Sequence, residues 1–139
     1  MNEYPQQKLK REWVQEGIVD DTVNWAKSFG RFLQSRENNS DPLTTSQIRK
    51  FYGELKRVQT SKNKEDIPLL KAKLAYAVGR DLTGGYGTNQ PRNQTKIKEF
   101  YEELEKGIDA IQQNDEKQLR NFVKIVESIV AYHKYHGGK

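Results

Sequence analysis

The chain has 139 residues, 34% hydrophobic and 31% charged, with a net charge of +5 and no cysteine. That length suits one domain with a real core, and the lack of thiols excludes disulfides and thiolate metal sites and fits a reducing, cytoplasmic setting. No apolar run approaches the roughly 18 residues needed to span a bilayer, and Met1 to Arg11 lacks the apolar stretch of a secretion signal, so no membrane partner is expected and the N-x-[ST] matches at Asn38 and Asn93 read as chance.

Residues 1–17 are polar apart from Trp13 and Val14, and they read as a tail or loosely docked segment before one helical domain over 18–139. From Ile18 the spacing of Val19, Val23, Ala26, Phe29 and Leu33 is helical. Asp20 and Asp21 sit in the first turn, where the helix dipole favours acids, and a helix to about Ser35 is predicted. The turn formers RENNSDP then make a loop. Thr44 and Gln47 form a capping box, with Leu43 placed to staple onto Ile48, so a second helix begins at Thr45. Its apolar face is Ile48, Phe51, Tyr52, Leu55 and Val58. Arg49, Lys50, Lys56 and Arg57 fall on the far side, diluted only by Glu54.

Pro68 opens a third helix, Leu69 to Arg80, with three unlike faces. Leu70, Leu74, Ala77 and Val78 are oily. Ala72, Ala75 and Gly79 are nearly bare and allow a close helix neighbour, which suits the middle of a bundle. Leu69, Lys73, Tyr76 and Arg80 share the edge between them. DLTGGYGTNQPRNQ, residues 81–94, is a glycine-rich loop without regular structure, and it lacks the lysine and hydroxyl spacing of a phosphate loop. From Thr95, the positions Ile97, Phe100, Tyr101, Leu104, Ile108 and Ile111 give a fourth helix with Glu102, Glu103 and Glu105 on its wet face. Asn114 and Asp115 restart the chain as a long last helix, whose Phe122, Val123, Ile125, Val126, Ile129 and Val130 cover an arc wide enough for more than one neighbour. Gly137 and Gly138 end it. The fold class is therefore all-α, a single compact bundle of about five helices.

No Ser-His-Asp, Cys-His or paired-acid arrangement has a recognisable spacing, so no catalytic residue and no cofactor is expected. His133 and His136 form H-x-x-H without a third ligand at metal spacing, and they read as core or helix-end histidines. Charge placement is more informative. Between Thr44 and Arg80 nine bases stand against three acids, whereas the rest of the chain carries fifteen bases and sixteen acids. An excess confined to one segment points to a polyanion such as nucleic acid, with a solvated lysine-rich surface as the plain alternative.

Three stretches in order, LTTSQIRKFYGELKRV, LKAKLAYAVGR and NFVKIVESIVAYHKYHGGK, together resemble the Csm-type small subunit of type III-A CRISPR effector complexes over about Leu43 to Lys139. The T-T-S-x-[IL]-R start, the A-G-R-like helix end and the A-Y-x-K-[FY]-x-G-G terminus carry the likeness. Val78 stands where a small residue is usual, and His133 and His136 where aromatic residues are usual, which supports reading both histidines as packing groups. The segment before Leu43 does not align. The resemblance implies a non-catalytic helical subunit of antiviral defence, stacked in several copies along the backbone subunits of a complex that also holds a large subunit, with guide and target RNA in the channel. It implies that Arg49 and Arg80 face nucleic acid, flanked by Lys50, Lys71 and Lys73. Lys56 and Arg57 on the basic face, and Tyr76 as a ring able to stack on a base, complete the candidate set. In such complexes cleavage and cyclic-nucleotide synthesis belong to other subunits. The rival readings are a free-standing helical regulator of duplex DNA, a pure assembly subunit without RNA contact, and a metal-dependent nuclease.

Overall fold

Helix α6, Glu116–Tyr135, is the axis of the structure: Leu119, Phe122, Val123, Ile125, Val126, Ile129 and His133 are buried around it, and three other helices pack on it. A computed structural model describes residues 4–5, 7–36, 40–61, 64–83 and 91–137. Among these residues the helices are α1 Arg11–Gln15, α2 Asp20–Leu33, α3 Thr45–Thr60, α4 Leu69–Arg80, α5 Ile97–Ala110 and α6. A 3-10 turn spans Lys64–Asp66, and a two-residue antiparallel pair joins β1 Leu82–Thr83 to β2 Arg92–Asn93, with Leu82 opposite Asn93. The bundle is all-α as expected, and each predicted helix is present within a few residues. Among the described residues no helix is long and apolar enough to cross a membrane.

Local chemistry explains the helix starts. Gln47 N–H donates to Thr44 Oγ1 at 3.0 Å and Thr44 N–H donates to Gln47 Oε1 at 2.9 Å, the reciprocal box expected for α3. Gln113 and Asn114, at φ 52° and 56°, turn the chain before α6, whose Asp115 Oδ1 accepts from Gln118 N–H at 2.9 Å. The wide arc of α6 meets more than one neighbour, as its pattern required.

Five expectations are corrected. Residues 4–17, where described, are not a loose tail, since Leu9, Trp13 and Val14 are buried and Tyr4 stacks on Phe32 with ring centroids 4.7 Å apart. The segment is tied down by polar groups that no hydrophobic period reveals. Leu9 N–H and Tyr4 OH donate to the Glu103 carboxylate at 3.0 and 2.9 Å, and Asn121 Nδ2 donates to the Val14 carbonyl at 2.9 Å. Glu103 is therefore buried, not on a wet face, and Lys106 completes its partners at 2.9 Å.

Helix α4 is not the middle of the bundle. It lies on α3 and α5, buries only Leu70 and Leu74 fully, and leaves Ala72, Ala75 and Gly79 exposed because no described residue packs on that side. Val19 and Val23 lie outside the core, exposed at 54% and 36%; the buried stripe of α2 runs instead through Trp25, Ala26, Phe29, Phe32 and Leu33. The glycine-rich stretch is not wholly irregular, because β1 and β2 close its base. Residues 84–90, Asn38 and Gly138 lie outside the described residues.

Candidate functional site

Helices α3 and α4 enclose a cleft of about 850 Å³. Its closed end is built by polar bonds that join four elements. Asp81, just past α4, accepts Thr95 N–H at 2.9 Å and Asn93 Nδ2 at 3.3 Å through one carboxylate oxygen, and Gln47 Nε2 at 3.4 Å through the other. Gln47 also donates to Thr95 Oγ1 at 3.1 Å, so the residue that caps α3 also ties α3 to the end of α4. Phe51, Leu74, Ala77 and Ile97 contribute the apolar lining, and Lys50, Glu54, Lys73, Tyr76 and Arg80 the polar one.

The cations of this cleft are not equivalent. Glu54 bridges Arg57 at 2.9 Å and Lys73 at 3.2 Å, and those two hydrogen bonds hold its carboxyl below the usual carboxylate range. Lys50 and Arg80 make no ion pair among the described residues. The Arg80 guanidinium lies 5.8 Å from the centroid of the Tyr76 ring, which is 67% exposed. Two unneutralised cations and an open ring at one cleft can take an anionic strand and one of its bases.

The other candidates are dispersed. Lys71 turns to α5 and pairs with Asp109 at 2.6 Å, a bond that raises its ammonium pKa. Lys56 lies 3.9 Å from Glu127 of α6, which also accepts the Tyr52 hydroxyl at 2.8 Å; burial and this bond push the phenol up to about 12. At about 100° per residue, Arg49 and Lys56 stand roughly 100° around α3 from Lys50 and Arg57, on the α6 side. The eight residues thus fall into a cleft group, Lys50, Lys73, Tyr76 and Arg80, with Arg57 attached through Glu54, and an outlying group, Arg49, Lys56 and Lys71. In the sequence Glu54 reads only as a diluting acid, although its i,i+3 spacing to Arg57 signals the first of its two partners.

His133 is a core residue. Its Nε2 lies 2.7 Å from the Leu43 carbonyl and 3.0 Å from Gln34 Nε2, which also donates to the His133 carbonyl at 2.9 Å, and burial lowers its pKa. His136 stacks on Tyr132 with centroids 6.4 Å apart. Among the described residues no three His, Cys, Asp or Glu side chains are grouped to hold a metal.

A family model described as Csm2 Type III-A matches residues 17–139. A curated relative, the CRISPR system Cms protein Csm2 of Streptococcus thermophilus, is 28% identical over 105 residues, covering 70% of this chain and 75% of the relative. No solved structure matches the chain. The family match runs from Gly17, three residues before α2, to the last residue and takes in the capping box, the α3–α4 cleft and all of α6. The chain belongs to the Csm2 family, the small-subunit family of type III-A CRISPR complexes.

Proposed function

We propose that this chain holds the RNA of a type III-A complex on its α3–α4 surface, without catalysis and without reading bases. The observation that carries the reading is the pair Lys50 and Arg80, free of acid partners among the described residues and facing one cleft beside Lys73 and the exposed Tyr76. Cations that neutralise phosphates release counterions and bind any sequence alike, which leaves discrimination to guide pairing. Arg80 can also form two parallel bonds to one phosphate, and Tyr76 offers a face to an unpaired base. Arg49 adds an exposed cation on the outer edge of α3. Arg57 and Lys73 share Glu54, and Lys56 and Lys71 each have an acid, so these four contribute less per residue.

In this reading, copies stack along the backbone subunits, beside the large subunit, so that successive clefts follow guide and target RNA. One copy then engages about three phosphates, and the lone protein binds single strands weakly with a log–log salt slope of about −2 to −3. No cleavage is expected, because the histidine a nuclease would use is buried and bonded to a backbone carbonyl.

A specific observation favours the rival assembly role: four of the seven candidate cations are already neutralised by acids of this chain. The two readings separate in a reconstituted complex carrying Arg49→Ala with Arg80→Ala. RNA holding requires weaker target retention at unchanged subunit composition. Unchanged affinity assigns the chain to assembly alone, and loss of the subunit would mean that these arginines bind protein.

A further inference from the structure

A second group of lone cations lies away from the cleft, on the opposite side of α3. Helices α2 and α6 meet so closely at Gly30 that a Cβ there would come within 2.8 Å of the Tyr132 Cβ and 3.0 Å of the His133 nitrogen. That crossing brings Lys27 and Arg31, on either side of Gly30, to the end of α6, where their charges add to burial in depressing the His136 pKa. Lys134 stands on the same end of α6. None of these three makes an ion pair among the described residues.

The α3–α6 register extends the group to Arg49. The two helices are antiparallel, since Leu43 meets His133 and Lys56 meets Glu127. Two turns, about 10.5 Å, back along α3 from Lys56 is Arg49, and two turns forward along α6 from Glu127 is Lys134. Arg49 and Lys134 therefore occupy corresponding positions on one edge, and Glu127, the acid nearest in register, is already engaged by Tyr52 and Lys56.

Beside these cations an aromatic platform reaches solvent. Tyr135 is 75% exposed, its ring centroid is 5.1 Å from that of His136, and His136 in turn stacks on Tyr132. Helix-end dipoles account for only part of the charge, since each C-terminus supplies about half a negative charge against four cations. Cations on either side of an open ring, Lys27 and Arg31 at the α2 edge and Lys134 at the α3 edge, are the chemistry of a single strand, whose phosphates need cations and whose unpaired bases need a stacking surface. A duplex keeps its bases from such a ring.

We propose that the α2–α6 face is a second binding surface for single-stranded RNA, with Lys27, Arg31 and Lys134 on phosphates and Tyr135 stacked on a base. Each copy then touches RNA on two sides of α3, and Arg49 lies between the two tracks.

The test compares two variants of the full chain with the wild type: Lys27→Ala/Arg31→Ala/Lys134→Ala for this face and Lys50→Ala/Arg80→Ala for the cleft. Binding of a labelled single-stranded RNA is titrated at several salt concentrations, and thermal melts check that the exposed substitutions leave the fold intact. With both surfaces engaged the wild-type slope should steepen from the −2 to −3 of the cleft alone to about −4, the face variant should flatten it by about 2, at about 0.7 per lost phosphate contact, and RNA carrying 4-thiouridine should crosslink to Tyr135 in the wild type. Tyr135→Phe should keep wild-type affinity and Tyr135→Ala should weaken it several-fold. An unchanged slope in the face variant together with no Tyr135 crosslink overturns the proposal, whatever the cleft variant does. Loss in the cleft variant alone upholds the cleft reading and refutes this one, and loss in the face variant alone does the reverse. Loss of the face variant from a reconstituted complex, with its own RNA binding intact, would assign the surface to a protein neighbour and also refute it.

Discussion

Gly30→Ala and Gly53→Ala are chemically the same change, and the structure makes them opposite in effect. Both glycines lie inside helices, where alanine is favoured by about 0.5–1 kcal/mol because it loses less backbone freedom on folding. A methyl at Gly53 meets nothing within 4 Å, so Gly53→Ala should keep that gain. A methyl at Gly30 would lie 2.8 Å from the Tyr132 Cβ and 3.0 Å from both the Tyr132 carbonyl carbon and the His133 nitrogen. These are backbone or first side-chain atoms with no rotamer to escape into, so α2 must move off α6, the largest packed interface of the bundle. Overpacking of this kind costs about 1–3 kcal/mol, and the rigidity of the obstructing atoms argues for the upper part of that range. The gap between the variants should then be about 2–3 kcal/mol, or on the order of 10 °C in Tm for a domain of this size. Thermal unfolding followed by circular dichroism at 222 nm measures it. If Gly30→Ala melts with Gly53→Ala above the wild type, the close α2–α6 crossing is wrong, and with it the placement of Lys27 and Arg31 beside the end of α6.

Leu74→Ala should cost about 2–5 kcal/mol, because Leu74 is one of only two fully buried anchors of α4; a loss under 1 kcal/mol in denaturant titration would mean that α4 is not held by this contact. Glu103→Ala leaves the buried Leu9 N–H without its acceptor, a loss of about 1–3 kcal/mol that should show as faster amide exchange over residues 7–15 than over α4, and equal exchange would refute the anchoring role. Burial lowers the folded pKa of His133 below the 6.5 of the unfolded chain, so the unfolded state takes up its proton first. Stability from this group is therefore complete above about pH 6.5 and declines as pH falls towards the folded value. His133→Gln should lose less stability than the wild type between pH 7.5 and 5.5, whereas equal losses would show that the histidine is not held neutral.

Much of the fold is legible in local spacing, because the rules that start, stop and orient a helix act within a few residues. The Thr44–Gln47 box, the acids opening α2, the arc of α6 and the glycines after it are of this kind. The basic segment from Thr44 to Arg80 was equally open to counting, and the family resemblance rested on stretches that the family match then covered. What composition could not carry was which faces meet. The contrast within α4 suggested a central helix, yet the long arc of α6 recruited α1, α2 and α3 instead and left the bare side of α4 exposed. Residues 4–17 lack a readable period, and their burial depends on Glu103 and Asn121, about a hundred positions away. Charge was settled in the same manner: Lys71 found Asp109, Lys56 found Glu127, and Lys73 found Glu54, while Lys50 and Arg80 found no acid among the described residues. Lys27, Arg31 and Lys134 are scattered through segments whose summed charge is near zero, and Lys27 and Arg31 reach the end of α6 that carries Lys134 only because α2 crosses α6 at a glycine. Helices are decided by neighbours in sequence, but a cation's partner is decided by Coulomb attraction and burial between residues that only the packed chain brings within a few ångströms.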